Sequence, residues 1–218
     1  MKYTIKEVVP EVFAVIIKDK YDRAMTFCRA QEYYECPNPK FRGKNFSIWD
    51  YMKWYGQKCG RGFSYGADWS GFNIPLRHIN ACYKNPKRPT ETPYDHTMRD
   101  ILDKINSMNR GNVGYVIACG DTKGDTFKHE VCHGLYYTSP QYKIEMACLT
   151  AWMPKNHYKI LKDNIIAMGY APNVVNDEIQ AYFQYGYENE KFGKGLDPET
   201  KKQYHKAYRK LASWFHGL

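Results

Sequence analysis

The residues with the clearest chemical potential lie in one short run, His129-Glu130-Val-Cys-His133. On a helix, residues four positions apart project from the same face, so both imidazoles could bind one metal ion. Imidazoles are common zinc ligands, and a neighbouring carboxylate can take a proton from zinc-bound water, which the metal makes more acidic. The pattern therefore predicts metal-assisted hydrolysis, with His129 and His133 as ligands and Glu130 as the general base.

The residues around this run favour a helix. Asp125, a residue type that often caps helices, follows a glycine just upstream. An apolar stripe recurs every four residues: Phe127, Val131 and Leu135. This stripe is distinct from the face that carries His129 and His133, so the helix can pack on a core and still present its ligands. The β-prone run 113–119 predicts a buried strand just before the helix.

The segment from His129 to His133 resembles the active-site helix of the zincin metallopeptidases, and the resemblance extends to the strand before this helix and one helix after it. It implies a zincin-like α+β fold, one zinc ion per chain and hydrolysis of peptide bonds in a peptide or protein substrate. In zincins the substrate lies extended across a cleft and pairs with a sheet edge, for which the strand 113–119 or the region of Phe72 could serve. Hydrolysis of another kind of bond stays open.

A catalytic zinc needs a third protein ligand besides the two histidines. The metzincin branch places a glycine three residues and a histidine six residues after the second histidine, but Tyr136 and Ser139 occupy these positions here. The gluzincin branch takes a glutamate from a later helix, and Glu178 is the preferred candidate. Three other residues remain alternatives for this ligand: Asp177, Glu145 and His157.

The helix predicted over residues 173–186 would carry the third ligand. Its flank beside a buried stripe holds three polar side chains at helical spacing: Glu178, Tyr182 and Tyr185. Tyr182, Tyr185 or the earlier Arg77 could donate a hydrogen bond to the oxyanion that forms on the reacting carbonyl. Asp177 projects farther toward solvent, or toward a residue that supports a ligand.

Further apolar periodicity predicts the strand 11–18 and the helices 19–34, 47–57, 97–108, 140–153, 154–168 and 197–215. Pro75 restricts the extended segment 72–79 to a sheet edge. The length suits a single domain over residues 1–218. We expect a sheet-containing half with the metal helix, residues 1–139, on one side of a cleft and a helical half, residues 140–218, on the other.

An excess of basic residues raises a second possible function. The chain has 32 Lys and Arg against 23 Asp and Glu, a net charge of +9. Basic residues cluster on the predicted last helix and in one loop: Lys202, Lys206, Arg209, Lys210, Lys87 and Arg88. A solvated helix face explains them more simply. The alternative function is nonetheless a non-catalytic basic protein on a zincin-like scaffold that binds nucleic acid or an acidic partner.

The cysteines and the apolar runs bear on the compartment. Seven cysteines are spread without a C-x-x-C pair, which favours the cytoplasm or another reducing intracellular compartment and argues against a zinc site built from cysteines. No stretch approaches the roughly 20 apolar residues of a membrane span. The first residues are too polar for a signal peptide, so we expect none.

Overall fold

The computed structural model describes residues 1–69, 71–85, 90–109 and 113–215. The chain has mixed α and β structure, as the sequence predicts, and divides into two compact units, residues 1–122 and 123–218. None of the helices in the described ranges has the length and apolar character that a bilayer crossing demands. Lys87 and Arg88 lie outside the described residues.

The first unit contains a four-stranded sheet with two buried central strands. Strands β1 (Thr4–Val9) and β2 (Val12–Ile16) are antiparallel, β2 pairs in parallel with β4 (Tyr115–Cys119), and β4 pairs antiparallel with β3 (Phe72–Pro75). The order β1-β2-β4-β3 places β3 at an edge. This confirms the prediction from its proline, which has no N–H to donate. The expectation that β4 could offer an edge to a substrate is wrong, because β4 has a neighbouring strand on each side.

The helices of this unit are α1 (Lys20–Glu35), α2 (Ile48–Cys59), the single turn α3 (Tyr65–Asp68), α4 (Leu76–Tyr83) and α5 (Pro93–Met108). Helices α1 and α4 pack on the sheet. Helix α1 begins where the Asp19 side chain accepts a hydrogen bond from the backbone N–H of Asp22, which satisfies one free donor of the first turn. It contacts β3, α3, α4 and α5, so it forms the centre of the unit. Helix α4 replaces the second half of the extended segment predicted for residues 72–79.

A buried ion pair between Arg29 and Asp95 joins three of these helices. Arg29 Nε donates to Asp95 Oδ1 at 2.6 Å, and the Tyr83 hydroxyl donates to the same oxygen at 2.8 Å. The backbone N–H of Thr92 donates to Oδ2 at 2.8 Å, which caps α5. The Asp95 carboxylate is therefore a shared acceptor for α1, α4 and the start of α5.

Replacing Asp95 with alanine should lower the free energy of unfolding by about 3–5 kcal/mol, because Arg29 would stay buried without its counter-charge. Urea denaturation followed by circular dichroism measures this loss. The matched control is Asp103→Ala, an exposed aspartate on the same helix, which should change the unfolding free energy by less than about 0.5 kcal/mol. Equal losses in the two variants would contradict a special role for the ion pair.

The second unit is helical in its described residues: α6 (Asp125–Thr138), α7 (Pro140–Ala151), α8 (Lys155–Ala167), a 3-10 turn (Pro172–Val174), α9 (Val175–Gln184) and α10 (Pro198–Ala212). The predicted stripe of α6 is buried. Helix α6 packs on α7 and α9, and α9 also packs on α8 and α10. The boundary thus falls at residue 122 rather than at 139. Because its contacts are with later helices, α6 belongs to the helical unit and not to the sheet-containing one.

Candidate metal centre

The contact between α6 and α9 brings three possible metal ligands together. One donor atom from each of His129, His133 and Glu178 can be chosen so that all three lie within 4.8 Å of one another. His133 and Glu178 are buried and His129 is partly buried. Among the described residues, these three side chains are the group of histidine, cysteine and acidic residues that lie close enough together to hold a metal ion.

The distances within this group approach those of a tetrahedral site. His129 Nε2 lies 3.8 Å from Glu178 Oε2, and His133 Nε2 lies 3.7 Å from Glu178 Oε1. Ligand atoms about 2.0–2.1 Å from a tetrahedral zinc ion are separated by roughly 3.3 Å. The two printed separations exceed this value, and the three donor atoms lie within 4.8 Å of one another, so the ligands would have to move closer together to hold a metal ion.

The hydrogen bond of His129 sets which nitrogen can bind a metal. Its Nδ1 lies 3.0 Å from the backbone carbonyl oxygen of Tyr185. A carbonyl only accepts hydrogen bonds, so Nδ1 carries the proton and Nε2 keeps its lone pair on the side of Glu178. Burial, and then the charge of His133, lower the pKa of His129 to about 3. His129 is therefore neutral, the form that binds metals.

His133 is held in the same way by a carboxylate. Its Nδ1 donates to Asp177 Oδ1 at 2.9 Å, which leaves Nε2 facing Glu178. Burial opposes a charge on His133, but Asp177, Glu178 and Glu130 outweigh that effect and raise its pKa to about 10. These three carboxylates make the position favourable for a cation. A carboxylate on the far nitrogen of a histidine ligand also fixes the ring and increases its basicity.

Glu130 belongs to the same charged cluster. It follows the first histidine on α6 and is 8% exposed. Burial raises the pKa of Tyr170 and of Tyr182, and the negative charges of Glu178 and Glu130 raise both further. The negative charge of Glu130 therefore raises the pKa of His133 as well as the pKa of the two tyrosines.

Neither protein-family models, nor curated proteins, nor solved structures give a match to this chain. What the centre can do therefore follows from its own donor atoms. Two imidazoles and one carboxylate are a donor set found in catalytic zinc sites, where water is the fourth ligand. Imidazole also suits other divalent transition metals, so the donor atoms alone do not select zinc.

The other candidates for the third ligand lie apart from this cluster. Glu145 on α7 accepts a hydrogen bond from Gln141 Nε2 at 2.6 Å. His157 on α8 has its Nδ1 2.8 Å from the Tyr204 hydroxyl. Asp177 lies next to the centre, but its carboxylate contacts Nδ1 of His133, the nitrogen that does not face Glu178. The sequence allowed Asp177 to face either solvent or a residue that supports a ligand, and the structure has the second arrangement.

Tyr182 lies directly beside the centre. Its ring meets the His129 ring edge-on, with centroids 4.9 Å apart, and stacks on Phe192 at 4.8 Å. Its hydroxyl is 3.1 Å from the hydroxyl of Tyr170, a residue that the sequence did not point to. Tyr170 lies in the turn after α8, where no periodic pattern marks it. The Tyr182 ring thus lies next to a candidate ligand, and the Tyr170 hydroxyl lies beside the Tyr182 hydroxyl.

Tyr185 lies just beyond the end of the helix that carries Glu178. The prediction that its helix continues through residue 185 is wrong, because α9 ends at Gln184 and Tyr185 has φ −143° and ψ 88°. Its ring lies under the charged groups of Lys128 and Arg209, 5.5 Å and 4.7 Å from them. Tyr185 therefore serves the centre through its carbonyl oxygen. Arg77 lies on α4 of the first unit, where its Nε donates to His78 Nε2 at 3.3 Å.

A buried polar network holds Asp177 in place behind His133. Gln180 Nε2 donates to Asp177 Oδ1 at 2.9 Å, and Gln180 Oε1 accepts from the Tyr142 hydroxyl at 2.8 Å and from Gln184 Nε2 at 2.7 Å. Gln180, Gln184 and Tyr142 are all almost wholly buried. Because buried amides keep partners of fixed geometry, this chain limits the positions that Asp177 and the His133 ring can take.

Replacing Asp177 with alanine should weaken zinc binding by about 10-fold to 100-fold, since His133 would lose the acceptor that orients its ring. Competition with a chromophoric chelator measures the change in dissociation constant. Asp163→Ala, at an exposed aspartate of α8 that pairs with Lys159, is the matched control and should leave zinc affinity unchanged. Unchanged affinity in Asp177→Ala would show that the hydrogen bond to His133 does not support the ligand.

Proposed function

We propose that this chain is a zinc-dependent peptidase of the zincin kind, with His129, His133 and Glu178 as the ligands. The observation that carries the proposal is the orientation of the two histidines. Each has its Nδ1 hydrogen-bonded to a fixed acceptor, so both Nε2 atoms face the Glu178 carboxylate, and His133, whose pKa is raised to about 10, gives up its Nε2 proton when a metal ion binds. An ion pair with Glu178 accounts for the orientation of protonated His133, but neutral His129 facing the same buried carboxylate is what a metal site requires. The zincin-like character of the fold is part of the same proposal.

Bound zinc would supply an acidified water and polarise the carbonyl of the substrate. The residues of the chain do the rest. The Glu130 carboxylate takes a proton from the attacking water and returns it to the leaving nitrogen, which is the role of a general base and then of a general acid. The Tyr182 hydroxyl, which lies 3.1 Å from that of Tyr170, would donate a hydrogen bond to the oxyanion.

Metal analysis combined with a cleavage assay tests this function. The purified full chain should contain close to one zinc per molecule, and it should cleave a mixture of unstructured peptides, with products identified by mass spectrometry. A chelator should abolish cleavage, and added zinc should restore it. A chain that binds no metal, or cleavage that a chelator leaves intact, would contradict the proposal.

A polyanion-binding protein is the second candidate, and exposed cations on α10 favour it. Lys202, Lys206, Arg209 and Lys210 all have exposed side chains. Binding to phosphates through such residues weakens steeply as salt rises. Salt-sensitive affinity for single-stranded nucleic acid, measured by fluorescence anisotropy, together with an absence of cleavage by the zinc-loaded chain, would favour this function over the peptidase.

A further inference from the structure

A cavity of about 520 Å³ lies in the first unit, between α2 and the loop that precedes it. The rings of Phe41, Phe46 and Trp54 contribute to its lining, together with the side-chain amides of Asn38 and Gln57. Cavities of this volume, with apolar walls and a few polar groups, are typical of ligand sites. Peptide hydrolysis at the metal centre uses none of these residues.

The loop that forms one wall of the cavity is fixed by its own hydrogen bonds and by ring packing. The backbone N–H of Phe41 donates to the carbonyl oxygen of Asn38 at 3.0 Å. The N–H of Gly43 donates to the carbonyl oxygen of Tyr33 on α1 at 2.8 Å. The Phe41 ring also packs on Trp54 of α2, with centroids 5.4 Å apart. Because the wall is ordered without a ligand, binding does not have to order it.

The chain around this cavity is basic. Residues 35–60 contain five Lys and Arg against two acids, Glu35 and Asp50, and all seven residues are exposed. Among the described residues, no ion pair includes any of the five basic ones, which are Lys40, Arg42, Lys44, Lys53 and Lys58. Lys40 and Lys53 line the cavity, and the Lys58 ammonium lies 5.3 Å from the centre of the Trp54 ring. Exposed cations beside a cavity favour a ligand with several negative charges.

Positive charge also continues beyond the cavity. Burial, and then the charges of Arg77 and Arg42, lower the pKa of His78 on α4. Arg42 of the loop therefore lies near Arg77 and His78. The His78 ring in turn lies 4.7 Å from the Tyr34 ring of α1. Rings and cations thus occur together both in the cavity and next to it, which favours a ligand with repeated negative charges over a single small anion.

We propose that this surface of the first unit binds single-stranded nucleic acid, with one base in the cavity and phosphates on the surrounding lysines. Aromatic side chains that contact bases, combined with cations that follow the backbone, are how proteins bind single strands without sequence preference. Asp50 lines the cavity and offsets one positive charge, but its carboxylate can accept a hydrogen bond from the amino group of a base.

A single strand is the polyanion that uses both the cavity and the cations. An acidic peptide would neutralise the lysines but has no charged repeat that carries a planar ring for the aromatic lining. A duplex keeps its bases paired and stacked, so none of them would enter the cavity. The site lies in the first unit, whereas the exposed cations of α10 belong to the second, so the two positions can be tested apart.

Fluorescence anisotropy of a labelled twelve-nucleotide strand of A and C, titrated with the full chain at several salt concentrations, tests the proposal. Lys40→Gln/Lys53→Gln should weaken binding at least about 10-fold. It should also lower the slope of log affinity against log salt by about 1.4, since each phosphate contact to a single strand contributes roughly 0.7. The matched control, Lys6→Gln/Lys18→Gln, removes the same charge from exposed lysines of the first unit and should leave affinity within about two-fold. Equal losses in the two variants, or a wild type that does not bind the strand, would overturn the proposal.

An abasic strand of the same length and charge tests the cavity separately. It should bind the wild type at least about 10-fold more weakly than the strand with bases, because contact of one base with aromatic side chains is lost. Equal affinity for the two strands would overturn the place of a base in the cavity. Lys202→Gln/Lys206→Gln on α10 should bind the strand as the wild type does, and a loss confined to that variant would overturn the assignment to the first unit. Neither readout involves zinc or peptide cleavage, so failure here is distinguishable from failure of the peptidase proposal.

Discussion

Glu130→Gln is expected to keep one zinc per chain and to lower kcat for peptide hydrolysis by about 1000-fold. A glutamine amide has nearly the same shape as the carboxylate, so the packing of α6 is preserved. It cannot take a proton from water at neutral pH, and positioned proton transfer contributes on the order of 100-fold to 10,000-fold to such reactions. Zinc content by elemental analysis and steady-state kinetics on the same preparation measure the two effects.

Two further variants make the result specific to Glu130. Glu130→Asp keeps the charge but draws it back by one methylene, so its kcat should lie between those of the wild type and Glu130→Gln. Glu145→Gln changes a glutamate that pairs with Gln141 on α7, and it should leave kcat unchanged. Full turnover in Glu130→Gln would refute the role of Glu130 as base. Loss of zinc in that variant would instead assign Glu130 to support of the ligands.

The sequence predicted α6 and its ligand face because local signals agree there. A buried stripe at Phe127, Val131 and Leu135 and two histidines one turn apart require the same helix, which the structure contains, although Gly124 rather than Asp125 is its N-cap. The strands β2 and β4 were predicted for a similar reason, since fully buried strands form continuous apolar runs. Strand β1 was not predicted. Along β1 the charged residues Lys6 and Glu7 are exposed while the apolar residues are partly or fully buried, as expected for a strand at a sheet edge with one side toward water.

The error at Tyr185 shows how one residue at a helix end changes a site. Periodicity alone placed Tyr185 on the flank of Glu178, but Gly186 has φ +133° and follows the end of the helix. Glycine just beyond a helix end is the usual stop signal, so counting the helix back from Gly186 would have put Tyr185 outside it. The consequence is chemical. The backbone carbonyl oxygen of Tyr185, 3.0 Å from His129 Nδ1, is the atom by which it contacts the centre.

Tyr170 and the buried network of Gln180, Gln184 and Tyr142 could not be predicted from sequence. Tyr170 reaches Tyr182 from a turn twelve residues away, and Tyr142 meets Gln180 across 38 positions. Contacts of this kind depend on how helices pack, which no local pattern encodes. Two glutamines within the buried surface of α9 were a partial signal, because buried amides need partners, but the sequence does not say which partners they find.

Zinc affinity is expected to fall at least about 1000-fold in Glu178→Ala. Loss of a residue that only supports a ligand costs about 10-fold to 100-fold, and loss of a ligand itself must cost more. Competition titration with several chelators of different zinc affinity measures the two dissociation constants. Several chelators are needed because the dissociation constants of the variant and of the wild type differ too much for one indicator. Glu145→Ala and His157→Ala test the alternatives that the structure separates from the centre, and both should bind zinc as the wild type does.

The order of the losses, rather than any one of them, identifies the third ligand. With Glu178 on the metal and Asp177 behind His133, Glu178→Ala must weaken binding more than Asp177→Ala does. The reverse order would move the third ligand to Asp177. Glu178→Asp adds a distance test, because the 3.7 Å and 3.8 Å separations from the histidine nitrogens leave little room for retreat. Its affinity should lie between those of Glu178→Ala and the wild type, since a carboxylate one methylene shorter can still bind zinc but must pull α9 toward α6 to do so.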